Sequence, residues 1–162
     1  MLLLVEPVVM TMFSPFVGRL SDRVKPQLLA SLGLFLNTVS LAMLVFLNQD
    51  TDLVFIGVSL AVFGMGMGFF VSPNTGAVVG SVEKKVLGVA SSVQATSRYI
   101  GMALSMAVVM ISFSVFFGDV QLTPEYYPSF LSSLPVVFTV FTVLSFAGIL
   151  AQLKGAKTPS SP

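Results

Sequence analysis

Two ionisable side chains stand inside long apolar runs, where charge is expensive and therefore informative. Glu6 is the only carboxylate within such a run, twelve residues before Gly18, roughly 18 Å along a helix. A carboxyl group in apolar surroundings can exchange protons near neutral pH; its charge also attracts organic cations. Pro7 beside it offers an opening in the helix. If the run begins in water instead, Glu6 is simply solvated, and the sequence leaves both readings open. Arg98 lies ten residues past Gly88, a rise of roughly 15 Å. A cation at that depth marks a functional site or a buried pair. The alternative is an arginine snorkelling from a helix that starts outside the membrane.

The elements that carry these groups are apolar spans. Of 162 residues, 55% are hydrophobic and 9% charged, against roughly a quarter charged in soluble domains. Mean hydropathy is +0.96. Five runs approach the ~20 residues that cross a bilayer: about 1–18, 27–47, 53–79, 88–117 and 130–153. The spacing predicts an all-α, polytopic membrane protein: a five-helix bundle over 1–153 and a disordered cytoplasmic tail over 154–162. The first run is read as a retained helix. It lacks a basic leader, Glu6-Pro7 interrupts it, and no small-x-small cleavage site follows.

Charge fixes the orientation. Arg19, Arg23, Lys25, Lys84, Lys85, Lys154 and Lys157 are seven of the eight basic residues, and five spans put all seven on one side. The other side carries Asp50, Asp52, Asp119 and Glu125. Basic loops face the cytoplasm, so the N-terminus is expected outside and the C-terminus inside a cell membrane. Tyr126, Tyr127 and Phe130 fall where an interfacial aromatic belt is expected.

Other chemistries are excluded. The chain has no cysteine and no histidine, which removes disulfides, zinc sites and Ser-His catalysis. No HExxH or GxSG occurs, Phe117-Gly118-Asp119 lacks the extra glycine of a GxGD protease, and no enzyme is expected. A net charge of +1 leaves no nucleic-acid footprint. No metal or cofactor is implied. Gly64-Met65-Gly66-Met67-Gly68 lacks the strand-to-helix setting of a nucleotide loop.

Two spans carry further pattern. In the third, Gly64, Gly68, Ser72, Gly76 and Gly80 recur every fourth position, a spacing that lets helix backbones approach closely. Pro73 frees a carbonyl that is tolerable only against protein or a wet cavity. These residues, with Gly101 of the fourth span, read as helix packing or a hinge. The fourth span is polar from Ser91 to Arg98 and apolar from Tyr99 onward, as in a wet vestibule narrowing inward. Ser97, Gly101 and Ser105 share one of its faces. Asn37, Thr38, Ser40, Thr11 and Ser14 read as interhelical packing groups. The nine methionines read chiefly as gap-fillers.

Three features resemble the major facilitator superfamily. They are Ser14-Pro15-Phe16-Val17-Gly18-Arg19-Leu20-Ser21-Asp22-Arg23, the Gly64-x-Gly66-x-Gly68 run with Pro73, and Gly88-Val89-Ala90-Ser91 leading to Arg98-x-x-Gly101-x-Ala103-Leu104. The nearest group is similar to the fourteen-span multidrug:proton antiporters. The resemblance implies a partial second six-helix bundle, helices two to six of it, with the earlier helices supplied by the same or another chain. It implies proton-coupled export of small hydrophobic or cationic molecules. It also implies that Gly18 makes the turn of a loop motif that includes Arg19, and that Asp22 and Arg23 form charge contacts, with the span carrying Arg98 as the usual partner, that hold the inward-closed state. Lys25-Pro26-Gln27 departs from the family's usual Gly-x-Arg. A truncated remnant or non-transporting subunit docking to a partner bundle is the alternative.

The orientation is testable because the chain has no cysteine of its own. Thr51→Cys should react with a membrane-impermeant thiol reagent on intact cells, and Ser81→Cys only after permeabilisation. The reverse pattern overturns the orientation.

Overall fold

The computed structural model describes residues 4–21, 23–48, 51–117 and 127–155, with side chains undescribed at 116–117, 127–132 and 153–155. Five long helices follow one another: α1 (Val5–Ser21), α2 (Pro26–Val45), α3 (Leu53–Gly80), α4 (Leu87–Phe117) and α5 (Tyr127–Gly155). A single 3₁₀ turn, Lys84–Val86, precedes α4. Among the described residues four helices are long and apolar enough to cross a membrane, and α1 has 17 helical residues. The protein is a multi-pass, all-helical membrane protein. Asp22, Asp50, Asp119, Glu125, Tyr126 and the tail beyond Gly155 lie outside the described residues, as do the side chains of Tyr127 and Phe130.

Local chemistry sets the helix ends. Pro26 opens α2 at a first-turn position, where its missing N–H costs nothing. The Asp52 carboxylate accepts from the Val54 N–H at 3.2 Å and caps α3, satisfying one orphan donor. The expected turn at Gly18 is displaced. Gly18 is helical, and α1 runs on to Ser21; the reversal is made where Arg23 and Val24 both donate to the Leu20 carbonyl. Gly18 serves packing instead, since a Cβ there would lie 3.6 Å from Ser72 Oγ.

The third helix is the centre of the bundle, packed chiefly against α2 and α1, while α5 leans on α2. Its glycines divide between two faces. A Cβ on Gly64 would come within 2.5 Å of the Glu6 carbonyl oxygen, and one on Gly68 would meet Met10 and Phe13 of α1. Gly66, about 200° round the helix from Gly64, meets Asn37 of α2 instead. Gly33 completes that second contact: a Cβ there would lie 2.6 Å from Phe70 N and 2.8 Å from Phe69 C. Pro73 is fully buried. It removes the partner of the Phe69 carbonyl, four residues earlier, so the interrupted stretch of α3 is covered by protein at Gly33. Gly76 and Gly80 continue the four-residue spacing but face open space.

Hydroxyls tie the remaining contacts. Ser40 Oγ donates to the Ser59 carbonyl at 2.7 Å, with both serines fully buried. Thr38 Oγ1 and Ser145 Oγ join α2 to α5 at 2.8 Å. No described residue of α4 is buried. It touches α5 and, lightly, α3.

Gly64→Val forces the α1 and α3 backbones apart. It should cost about 1–3 kcal/mol, the usual penalty of overpacking, and lower the thermal midpoint in detergent. Gly76→Ala, on the same stripe, should leave that midpoint unchanged or raise it.

Candidate functional site

Because α4 stands off from the α2–α3–α5 layer, two cavities lie between them. The first, about 600 Å³, is walled by all of α1 to α4. Its polar lining is Asn37, Asn74, Gln94, Ser97 and Arg98; Met10, Met67, Met102 and Phe70 supply much of the rest. The second, about 700 Å³, is almost wholly apolar and lies between α2, α3, α4 and α5, with Gly101, Ser105 and Ser145 on its walls. Both volumes fall within the roughly 300–1,000 Å³ of small-molecule sites. Leu34 and Asn37 belong to both.

The face of α4 foreseen from Ser97, Gly101 and Ser105 is the face that lines these spaces. Ser97 borders the mixed cavity, and Gly101 and Ser105 the apolar one. The vestibule pattern is therefore physical: polar first, apolar beyond. Gln94 Nε2 reaches Thr75 Oγ1 at 3.5 Å, so the polar end of α4 is level with the last turns of α3. Arg98 is exposed to the mixed cavity. Gly101 does not pack closely on a neighbour, because a Cβ there meets nothing within 4 Å.

Glu6 lies one turn before Met10 on α1 and is half-buried. Its backbone lies against Gly64, eleven residues into α3, so it sits roughly 16 Å from the start of that helix. That position is well inside the bundle and not at its rim. Pro7 occupies the first turn of α1, where no intrahelical donor is lost, so it does not open the helix. Of the loop residues, Arg19 and Arg23 are exposed and flank a surface groove with Phe16 and Leu20. Among the described residues α1 and α4 make no close backbone contact; Asp22, on which the implied charge contact rests, lies outside those residues.

Residues 1–106 match the model of the Major Facilitator Superfamily. The chain belongs to this superfamily. The matched stretch covers α1 to α3 and α4 as far as Met106, and so includes the whole mixed cavity. Two curated superfamily-like transporters are similar. The riboflavin transporter RibZ of Clostridioides difficile (strain 630) is 32% identical over 115 residues, 71% of this chain and 24% of that protein. The uncharacterized transporter YebQ of Escherichia coli (strain K12) is 32% identical over 113 residues, 70% of this chain and 24% of that protein. The chain thus spans about a quarter of the length of the relatives it matches. No solved structure matches it significantly.

Sequence reasoning had placed Asn37 among ordinary packing groups and had given Asn74 no role. A polar residue in mid-span is visible in sequence, but the shared wall of two cavities is not. The division between those cavities is testable. Ser97→Cys should react several-fold faster with a hydrophilic thiol reagent than Ser105→Cys. Equal rates would make the two cavities one aqueous space.

Proposed function

We propose that this chain forms the C-terminal part of a transporter in the cell membrane, N-terminus outside, exporting small hydrophobic molecules in exchange for protons. Further helices complete the assembly, since family members move two bundles about a midplane site. The observation that carries the reading is the mixed cavity: α1 to α4 converge on a space of small-molecule size, edged by Arg98 and neutral amides and floored by methionine and phenylalanine. That lining suits an amphipathic, planar organic molecule. Riboflavin, named for one relative, is of that kind. Cations are less favoured in this cavity, because the one full charge on its lining is positive.

Glu6 is the proton site in this reading. Its backbone lies against Gly64, where α1 packs on α3, so a change in its charge acts where the two helices touch. Asp22, Arg19 and Arg23 are the loop residues that govern closure, with partners in the completed assembly. Gly64, Gly68 and Pro73 hold the helix core, and Gly76 and Gly101 are left free to move.

In the assembled transporter Glu6→Gln should abolish uphill, pH-driven export while surface expression and downhill flux persist. Unchanged uphill export in that variant removes Glu6 from the coupling. Loss of downhill flux as well would make its role structural.

A further inference from the structure

Asn37 is 7% exposed, and its Oδ1 is buried without a hydrogen-bond donor. The oxygen occupies the notch that a Cβ on Gly66 would fill. Its Nδ2 finds only the thioether of Met67, at 3.7 Å. Exchanging the amide oxygen and nitrogen does not repair this, because a thioether accepts weakly and donates nothing. In either orientation the acceptor lacks a donor. Polar side chains packed between these helices otherwise find oxygen partners, as the hydroxyls of Ser40 and Thr38 do. Asn37 instead stands on the wall shared by both cavities.

We propose that the Asn37 carboxamide is the specificity-determining group of the mixed cavity, and that it reads a lactam or imide edge on a neutral heteroaromatic substrate. The inference rests on the transport reading above and names the substrate class. A carboxamide presents one donor and one acceptor side by side. An –NH–C(=O)– edge presents the complement, so the two pair through two hydrogen bonds. Met10, Met67 and Met102 border the same space, and thioethers make favourable contacts with flat rings. The Gly66 notch stores the carboxamide when no such edge is present. A rotation about its side-chain bonds brings it to the cavity without moving a helix.

The probes are riboflavin, which carries an N–H between two ring carbonyls, and its N3-methyl derivative, in which that edge is blocked. Uptake into inverted vesicles containing the assembled transporter is measured for both, beside efflux of an apolar dye. The wild type should prefer the unblocked flavin by about tenfold, the scale of one or two neutral hydrogen bonds. Asn37→Leu should lose the preference, read as the ratio of the two flavin rates. Asn37→Ser, smaller and still polar, guards against misfolding and should lose it too. Retained preference in a variant that still moves dye overturns the role of Asn37 and leaves transport standing. A wild type that moves dye but ignores the blocked edge also overturns it. A wild type that moves none of the three overturns the transport reading, and this inference with it.

Discussion

The bundle depends on two backbone-to-backbone approaches of α3, one to α1 and one to α2. Lipid tails are as apolar as leucine, so burial of side chains does not drive helices together in a bilayer. What remains is van der Waals contact, which weakens steeply with distance, and a few interhelical hydrogen bonds. Gly64 and Gly68 let α1 come close, while Gly66 and Gly33 do so for α2. One helix therefore serves two neighbours because its glycines alternate faces. The Ser40–Ser59 and Thr38–Ser145 bonds then fix the lean of α2 and α5.

That same rule explains why the cavities lie along α4. Its inward face carries Ser97, Gly101, Leu104, Ser105 and Val108. The one glycine among them meets no opposing backbone. With no notch opposite, the helices are held apart by side chains, and the gap is lined by whatever those side chains present. Polarity along α4 then sorts the gap into a polar part beside Arg98 and an apolar part beside Leu104.

Span limits were legible in the sequence to within a few residues, because bilayer thickness fixes a length and loop residues break it. The predicted 27–47 and 53–79 became Pro26–Val45 and Leu53–Gly80. Close helix packing at Gly64 and Gly68 was legible too, from spacing alone, though not that α1 is the partner. Its end was not. Gly76 keeps the spacing but has lost its neighbour: Gly18 is already level with Ser72, and α1 ends three residues later at Ser21. The second interface was hidden for a different reason. Gly66 and Gly33 share no repeat, and only the register of two helices pairs them. The place of Asn37 was hidden on the same ground, since a mid-span amide has no location until its neighbours are known. The Gly18 turn was carried over from a pattern, whereas the helix simply continued through it.

The two intramembrane charges do not solve each other's problem. Glu6 is level with Gly64 on α3. The Gln94–Thr75 contact sets Arg98, one turn further on, level with Val71. Seven residues separate these levels, roughly 10 Å of helical rise. At that distance, with an effective dielectric constant near 20, the attraction is only about 2 kcal/mol. Removing each ion from water costs several kcal/mol after relaxation, so pairing across the bundle cannot offset it. Each group needs its own polar surroundings. Arg98 has them in Asn74, Gln94 and Ser97, which line the same cavity. Glu6 has the α3 backbone beside it at Gly64, so it stands at the contact of α1 with α3 on which the bundle is built.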